Sequence, residues 1–399
     1  MMILEQAGSR RGTSLTVGAY LRSFDWLLFV SALAVSGFGL AMIYSATHAD
    51  PGQGASLYYV RAQSIGLGLG VAVALILSLV DYERYARWQK HIYIGMLLLL
   101  VVTLIIGTGR SGAHRWIALP FFDVQSAELA KVLLILTLGA FLADGVELRS
   151  RFRFVLLAVG YVALPALLVY LEPDLGTSLV FVAALVSMLL VWGINWRHAA
   201  VLATAGVLVV VAVLRALPAM GIQVLKDYQL QRLMVFLNPD HDTSGVGYQL
   251  TQSRIAVASG MYTGKGFMEG TQTHLNFLPE HHTDFIFSVI GEELGFLGAM
   301  VLLGLYLIMV WRMLRIAGRA KSLYGSLIAA GVTGILVFQV FVNVGMTIGI
   351  MPVTGVPLPF MSFGSSSLVV FWMAVGILES VQVRSMIAGY SAGRVPLRR

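Results

Sequence analysis

The chain has 399 residues, of which 58% are hydrophobic and only 12% charged, and it carries no cysteine. That much apolar surface excludes a soluble globular domain and sets a polytopic membrane protein as the starting class. The absent cysteines exclude disulfides, thiolate metal sites and a Cys nucleophile; the net charge of +7 is a topology signal and implies no nucleic-acid partner.

A membrane span needs about 20 mostly apolar residues. Ten stretches qualify, at 26–46, 60–80, 91–107, 126–143, 154–172, 174–194, 198–217, 284–311, 323–349 and 362–383. The first is too long for a cleavable signal and lacks a small-residue cleavage site. With the N-terminus inside, most of the 27 Lys and Arg fall on the inner side, among them Arg84, Arg87, Arg149, Arg151, Arg312 and Arg319. The expectation is an all-α integral membrane protein, a ten-helix bundle with both termini cytoplasmic. It forms a single domain over 1–399, with a cytoplasmic arm at 1–25 and a cytoplasmic tail at 384–399.

One outer loop, 218–283 between helices 7 and 8, is too long for an idle connector. Residues 224–236 and the stretch "QLTQSRIAVASG" are amphipathic and predict short helices lying on the membrane surface or over a cavity. The length of this loop, its amphipathic stretches and its glycine turns around Lys265 predict a mobile lid over 218–283.

Taken in chain order, the ionisable residues form a pattern. Arg110, His114 and Arg115 in "GTGRSGAHRW" suit phosphate and equally suit lipid headgroups. Glu128 opens the fourth span, Asp174 the sixth and Asp284 the eighth. Each of these helices enters from the outer side, so the three acids share one depth. An acid in a first turn caps the helix dipole. Three of them beside a long polar loop favour a shared cavity.

Lys131 follows Glu128 by three residues, so the two can pair on one helix face. That pair either orients the helix or takes part in the chemistry. Glu292 lies on the same stripe as Asp284 and about 12 Å deeper, a depth suited to a hydrogen bond between packed helices. His281 and His282 lack the spacing of a metal site. A hard divalent cation, Mg²⁺ or Mn²⁺, held by Asp284 and substrate phosphates is the more plausible arrangement. A transporter needs charge near the bilayer midplane and inverted repeats. Acids placed high, with cations nearby, favour an enzyme acting on a lipid-linked substrate.

The stretch "NFLPEHHTDFIFSVIGEELGFLG" closely resembles the signature of the SEDS family (shape, elongation, division and sporulation). So do "DWLLFVSALAVSGFGLAMIYSAT", "GAHRWIALPFFDVQSAELAK", "EPDLGTS" and "GVPLPFMSFGSSS". The wording of "GKGFMEGTQTHLNFLPEHHTDF" and "MPVTGVPLPF" is closer to the elongation branch than to the division branch. The resemblance implies a peptidoglycan glycosyltransferase of the bacterial cytoplasmic membrane. Its substrate would be lipid II, a disaccharide-pentapeptide on undecaprenyl pyrophosphate, and its product the nascent glycan strand. A class B penicillin-binding protein would be its transpeptidase partner, with elongation-complex proteins and membrane lipid around it. The family's essential Asp maps to Asp284, its ion pair to Glu128 and Lys131, and the acid of its "PDLG" motif to Asp174. Candidates for substrate or pyrophosphate contact are Arg110, Arg115, Asp174, Lys265 and His282. A division-specific member and a flippase of lipid-linked precursors are the alternatives.

Overall fold

A computed structural model of the chain describes residues 17–48, 55–110, 113–118, 123–221, 225–237, 245–274, 277–278 and 281–391. In a bilayer each backbone polar group must bond within its own segment, so the apolar runs become helices. Ten are long and apolar enough to cross. They are α1 (Trp26–His48), α2 (Ala55–Leu79), α3 (Gln89–Ile106), α4 (Ser126–Asp144), α5 (Phe152–Leu171), α6 (Leu175–Trp192), α7 (Trp196–Ala219), α8 (Ile286–Arg319), α9 (Leu323–Thr347) and α10 (Ser365–Ser391). Every expected span is present within a few residues, except that α8 runs on to Arg319 and α10 to Ser391.

The centre of the bundle is α4, α9 and α10, the most buried spans. Around them α2 packs on α10, α6 on α9, and α8 on both α9 and α1. No residue of α7 is buried; its Val-rich stretch is largely exposed, and a π-helical turn at Ala212–Ala216 interrupts it just before its end. At the end away from Asp284, Arg312 of α8 grips both carboxylate oxygens of Asp25, at 2.6 to 3.0 Å. The Asp25 backbone N–H in turn donates to Glu379 of α10.

Three features depart from the sequence expectation. The connection between α3 and α4 forms a small antiparallel sheet, β1 (Thr108–Arg110), β2 (Ala113–Ala118) and β3 (Asp123–Gln125), in the order β1-β2-β3. Its strands are too short for an alternating pattern to be read. Trp116 pairs with Gln125, which carries the ladder to the residue just before α4.

Helix α8 is broken. Gly295 has φ 63° and ψ −160°, a conformation closed to residues with a side chain. The segment 261–266 lies against the break. Lys265 and Gly266 donate their N–H groups to the carbonyls of Glu292 and Glu293, and the N–H groups of Phe296 and Leu297 reach the carbonyls of Met261 and Tyr262. A Cβ on Gly264 would stand 2.1 Å from the Glu293 carbonyl oxygen. Irregular backbone at membrane depth survives only where protein satisfies it, and this turn does so.

The third departure follows from the second. Within the loop expected to be a mobile lid, the turn at 261–266 is hydrogen-bonded to the broken backbone of α8. The two expected loop helices are present, at Asp227–Leu237 and Val246–Ser259. Val235, Leu250, Leu278, Phe285, Met346 and Val353 form a small core between them and the ends of α8 and α9. Burying each such side chain contributes about 1.5–3 kcal/mol.

Candidate active site

Asp284 sits in the turn 281–285, just ahead of α8, rather than inside the helix. The turn is held through its backbone. Phe363 N–H donates to the His282 carbonyl, and Ser362 Oγ donates to the Thr283 carbonyl at 2.7 Å. The Asp284 side chain lines a cavity of about 200 Å³ with Asp174, Arg232, Tyr228, Gln229 and the segment Pro352–Gly355.

Asp174 does both things expected of it. It is the N-cap of α6, its Oδ1 accepting from Thr177 N at 2.9 Å and its Oδ2 from Thr177 Oγ1 at 3.0 Å. It also faces the cavity, where Gln125 Nε2 donates to Oδ2 at 3.2 Å. Gln125 is bound in turn through its N–H to Ser366 Oγ of α10. A short chain of bonds thus joins the sheet, α6 and α10 behind the acid.

Glu128 is separate from that cavity. It is buried, with Oε1 2.7 Å from Lys131 Nζ. Lys131 Nζ lies 5.1 Å from the Phe371 ring centroid. Glu128 Oε2 has no hydrogen-bond partner among the described residues. The pair is therefore real, but only two of the three aligned acids share the cavity. Glu128 is the third residue of α4, and that placement turns it into the bundle.

Lys265, a candidate for pyrophosphate, is committed elsewhere. Its Nζ lies 2.7 Å from Glu292 Oε1 and 2.7 Å from Thr271 Oγ1. Glu292 also accepts from Gln272 N, so it ties the loop to α8. The bond between packed helices falls to the neighbouring acid instead: Ser45 Oγ of α1 donates to Glu293 at 2.7 Å. His282 is half-buried, its ring 4.6 Å from that of Tyr59. It is sequence-adjacent to the cavity but absent from its lining. Arg110 lies on β1 and Arg115 on β2; their side chains lie outside what the structure describes.

The cation in the cavity wall is Arg232, which the sequence did not single out. It stands on the loop helix Asp227–Leu237, with its guanidinium over the Tyr228 ring. A Cβ placed on Gly355 would be 3.3 Å from Arg232 Nη1 and 3.4 Å from Asp284 Oδ2, so cation and carboxylate flank one point of the wall. The amphipathic pattern predicted this helix. Only the tertiary structure shows which of its charges turns inward.

The sequence profile of the FtsW, RodA and SpoVE cell cycle proteins matches residues 25–386. The chain belongs to this family. Among its relatives, the peptidoglycan glycosyltransferase MrdB of Escherichia coli K12 is 37% identical, covering 91% of this chain and 95% of that protein. A probable peptidoglycan glycosyltransferase FtsW of Trichlorobacter lovleyi is 34% identical, over 92% of this chain and 95% of its own length. Family members of known structure share the fold. RodA of Thermus thermophilus superposes with a TM-score of 0.65 at 29% identity, over 90% of this chain and 96% of that one. A chain from a peptidoglycan synthase complex that coordinates polymerization and crosslinking superposes at 0.76 with 31% identity, over 91% and 98%. As a family member with ten membrane helices, the chain is a multi-pass protein of the bacterial inner membrane.

Proposed function

We propose that this chain is a peptidoglycan glycosyltransferase that polymerises lipid II into glycan strands. The observation that carries the reading is the cavity where Asp284, Asp174 and Arg232 converge at one end of the bundle. Catalysis of glycosyl transfer to a sugar hydroxyl needs a base and a counter-charge for the leaving pyrophosphate. Asp284 accepts the proton of the attacking 4-hydroxyl. The new bond forms from that oxygen to the anomeric carbon, on the face opposite the leaving group, and configuration inverts. The bond from the anomeric carbon to pyrophosphate breaks, and its electron pair leaves on the pyrophosphate oxygen. Arg232 offers that group a forked pair of N–H donors. Asp174 is held as a cap and shapes the wall.

A divalent cation fits here in one way. Among the described residues no three acids or histidines gather into a metal cage, and both Asp174 oxygens already accept hydrogen bonds. Mg²⁺ and Mn²⁺ sites commonly use one or two carboxylates plus substrate phosphates, so Asp284 would hold such an ion. When bound, it would neutralise pyrophosphate charge.

Transport of a lipid-linked precursor is less well supported. The two deeper acids, Glu292 and Glu293, are spent on Lys265 and Ser45. The elongation role and a class B penicillin-binding protein as partner belong to this proposal. The relatives come from both branches, and the synthase complex is one of the structural neighbours.

The test is polymerisation of purified lipid II by the full chain, alone and with such a partner, with Mg²⁺, Mn²⁺ or chelator. Glycan strands are the expected product. Arg232→Ala should lower kcat/KM about 10–100-fold, the worth of a charge-assisted hydrogen bond. Transfer of intact lipid II across vesicles, with no strands formed under any condition, would replace the enzyme by a transporter.

The same reading places both termini in the cytoplasm and the cavity outside, as the Lys and Arg distribution requires. The chain has no cysteine, so single cysteines report cleanly. Thr251→Cys on the loop helix should react with an impermeant thiol reagent from outside, and Lys90→Cys should not. The reverse labelling would invert the topology.

A further inference from the structure

Asn343 lies on α9 and is fully buried. An asparagine amide offers two donor hydrogens, and both are used. Nδ2 donates to the carbonyl of Asp284 at 2.9 Å and to the carbonyl of Val356 at 2.8 Å. Two carbonyl partners fix which end of the amide faces them. The two acceptors belong to different parts of the chain. One is the turn that carries Asp284. The other closes the segment Pro352–Gly355, which walls the same cavity.

We infer that Asn343 is a positioning residue: it clamps the Asp284 turn to the Pro352–Val356 wall and so sets where the carboxylate stands in the cavity. This rests on the reading of Asp284 as the base. The clamp bears on the cation too, because Gly355, next to Val356, lines the cavity at the point that Arg232 and Asp284 flank.

Asn343 is itself anchored. Its carbonyl accepts from Thr347 Oγ1 at 3.1 Å, one turn further along α9. The Thr347 carbonyl accepts from Ser253 Oγ of the loop helix Val246–Ser259, and Ser253 pairs with Ser288 of α8 at 2.6 Å. The network therefore reaches the clamp from α8, α9 and the long loop together. Its three nearest substitutes in shape or chemistry each fail for a different reason. Leucine matches the shape without donors. Aspartate turns a carboxylate toward two carbonyl oxygens. Glutamine adds a methylene to a closed interior.

The experiment compares the full-length parent with Asn343→Leu, with turnover expressed per lipid II binding site so that misfolded protein does not count. Turnover should fall about 10–100-fold while KM for lipid II stays within about twofold, the signature of a misplaced catalytic group. Parental turnover per site would overturn the inference, as would a loss seen only in KM. The same substitution is then made on Asp284→Ala. If Asn343 acts through Asp284, the residual rate changes by less than about threefold. Equal fractional loss in both backgrounds would make Asn343 a general structural residue. A different result, Asp284→Ala alone retaining parental turnover, removes the base assignment itself and is read without Asn343.

Discussion

Asp284→Ala should abolish lipid II polymerisation, with a loss of about 10²–10⁴-fold, the usual worth of a positioned base. Insertion and partner assembly should survive. The bonds described for its turn run through the backbone carbonyls of His282, Thr283 and Asp284, and alanine keeps all three. Asp284→Asn should be nearly as poor. It preserves the shape of the side chain and loses both the proton acceptor and the negative charge that a divalent cation would need. Measured together, strand synthesis and co-purification of the partner separate chemistry from assembly. A variant with half the parental rate would take Asp284 out of the reaction and leave Arg232 as the principal polar contributor to the cavity.

The sequence was most legible where one physical rule acts alone. The spans follow from apolar length, and the structure places α1 to α10 almost where that rule puts them. The Glu128–Lys131 pair follows from a three-residue spacing on a helix. The family motifs hold Asp284 and Asp174, which line one cavity, and Glu128, which does not. What stayed hidden depends on contacts distant in sequence. Lys265 between two glycines looks like an anion-binding turn, yet its partner is Glu292, 27 residues on. Gly295 looks like any small residue in a membrane helix until the turn at 261–266 is seen to fill its break. Arg232 is one of several charges on an amphipathic helix, and no periodicity says which faces the cavity. Asn343 is one of three polar residues, with Gln339 and Thr347, spaced by four along an apolar run. Its role appears only when the carbonyls of Asp284 and Val356 are both brought to its amide nitrogen.

The second large effect should come from Lys131. Its Nζ is buried against Glu128 and Phe371, so Lys131→Ala leaves a carboxylate inside the bundle with no counter-charge. Breaking a buried pair in this way costs about 3–5 kcal/mol, whereas replacing both partners by apolar residues is often neutral. The double variant Glu128→Leu with Lys131→Met should therefore melt higher in detergent than either single variant, against the additive expectation. Activity then decides what the pair is for. Lys131 borders a small apolar gap with Val132, Ile135 and Val332 and is absent from the Asp284 cavity, which favours a purely structural pair. On that reading the charge swap, Glu128→Lys with Lys131→Glu, recovers most of the melting temperature and part of the polymerisation. Recovery is partial because the swap sets a carboxylate near the negative face of the Phe371 ring. A swapped protein that melts like the parent yet makes no strands would give Lys131 a direct part in holding the pyrophosphate.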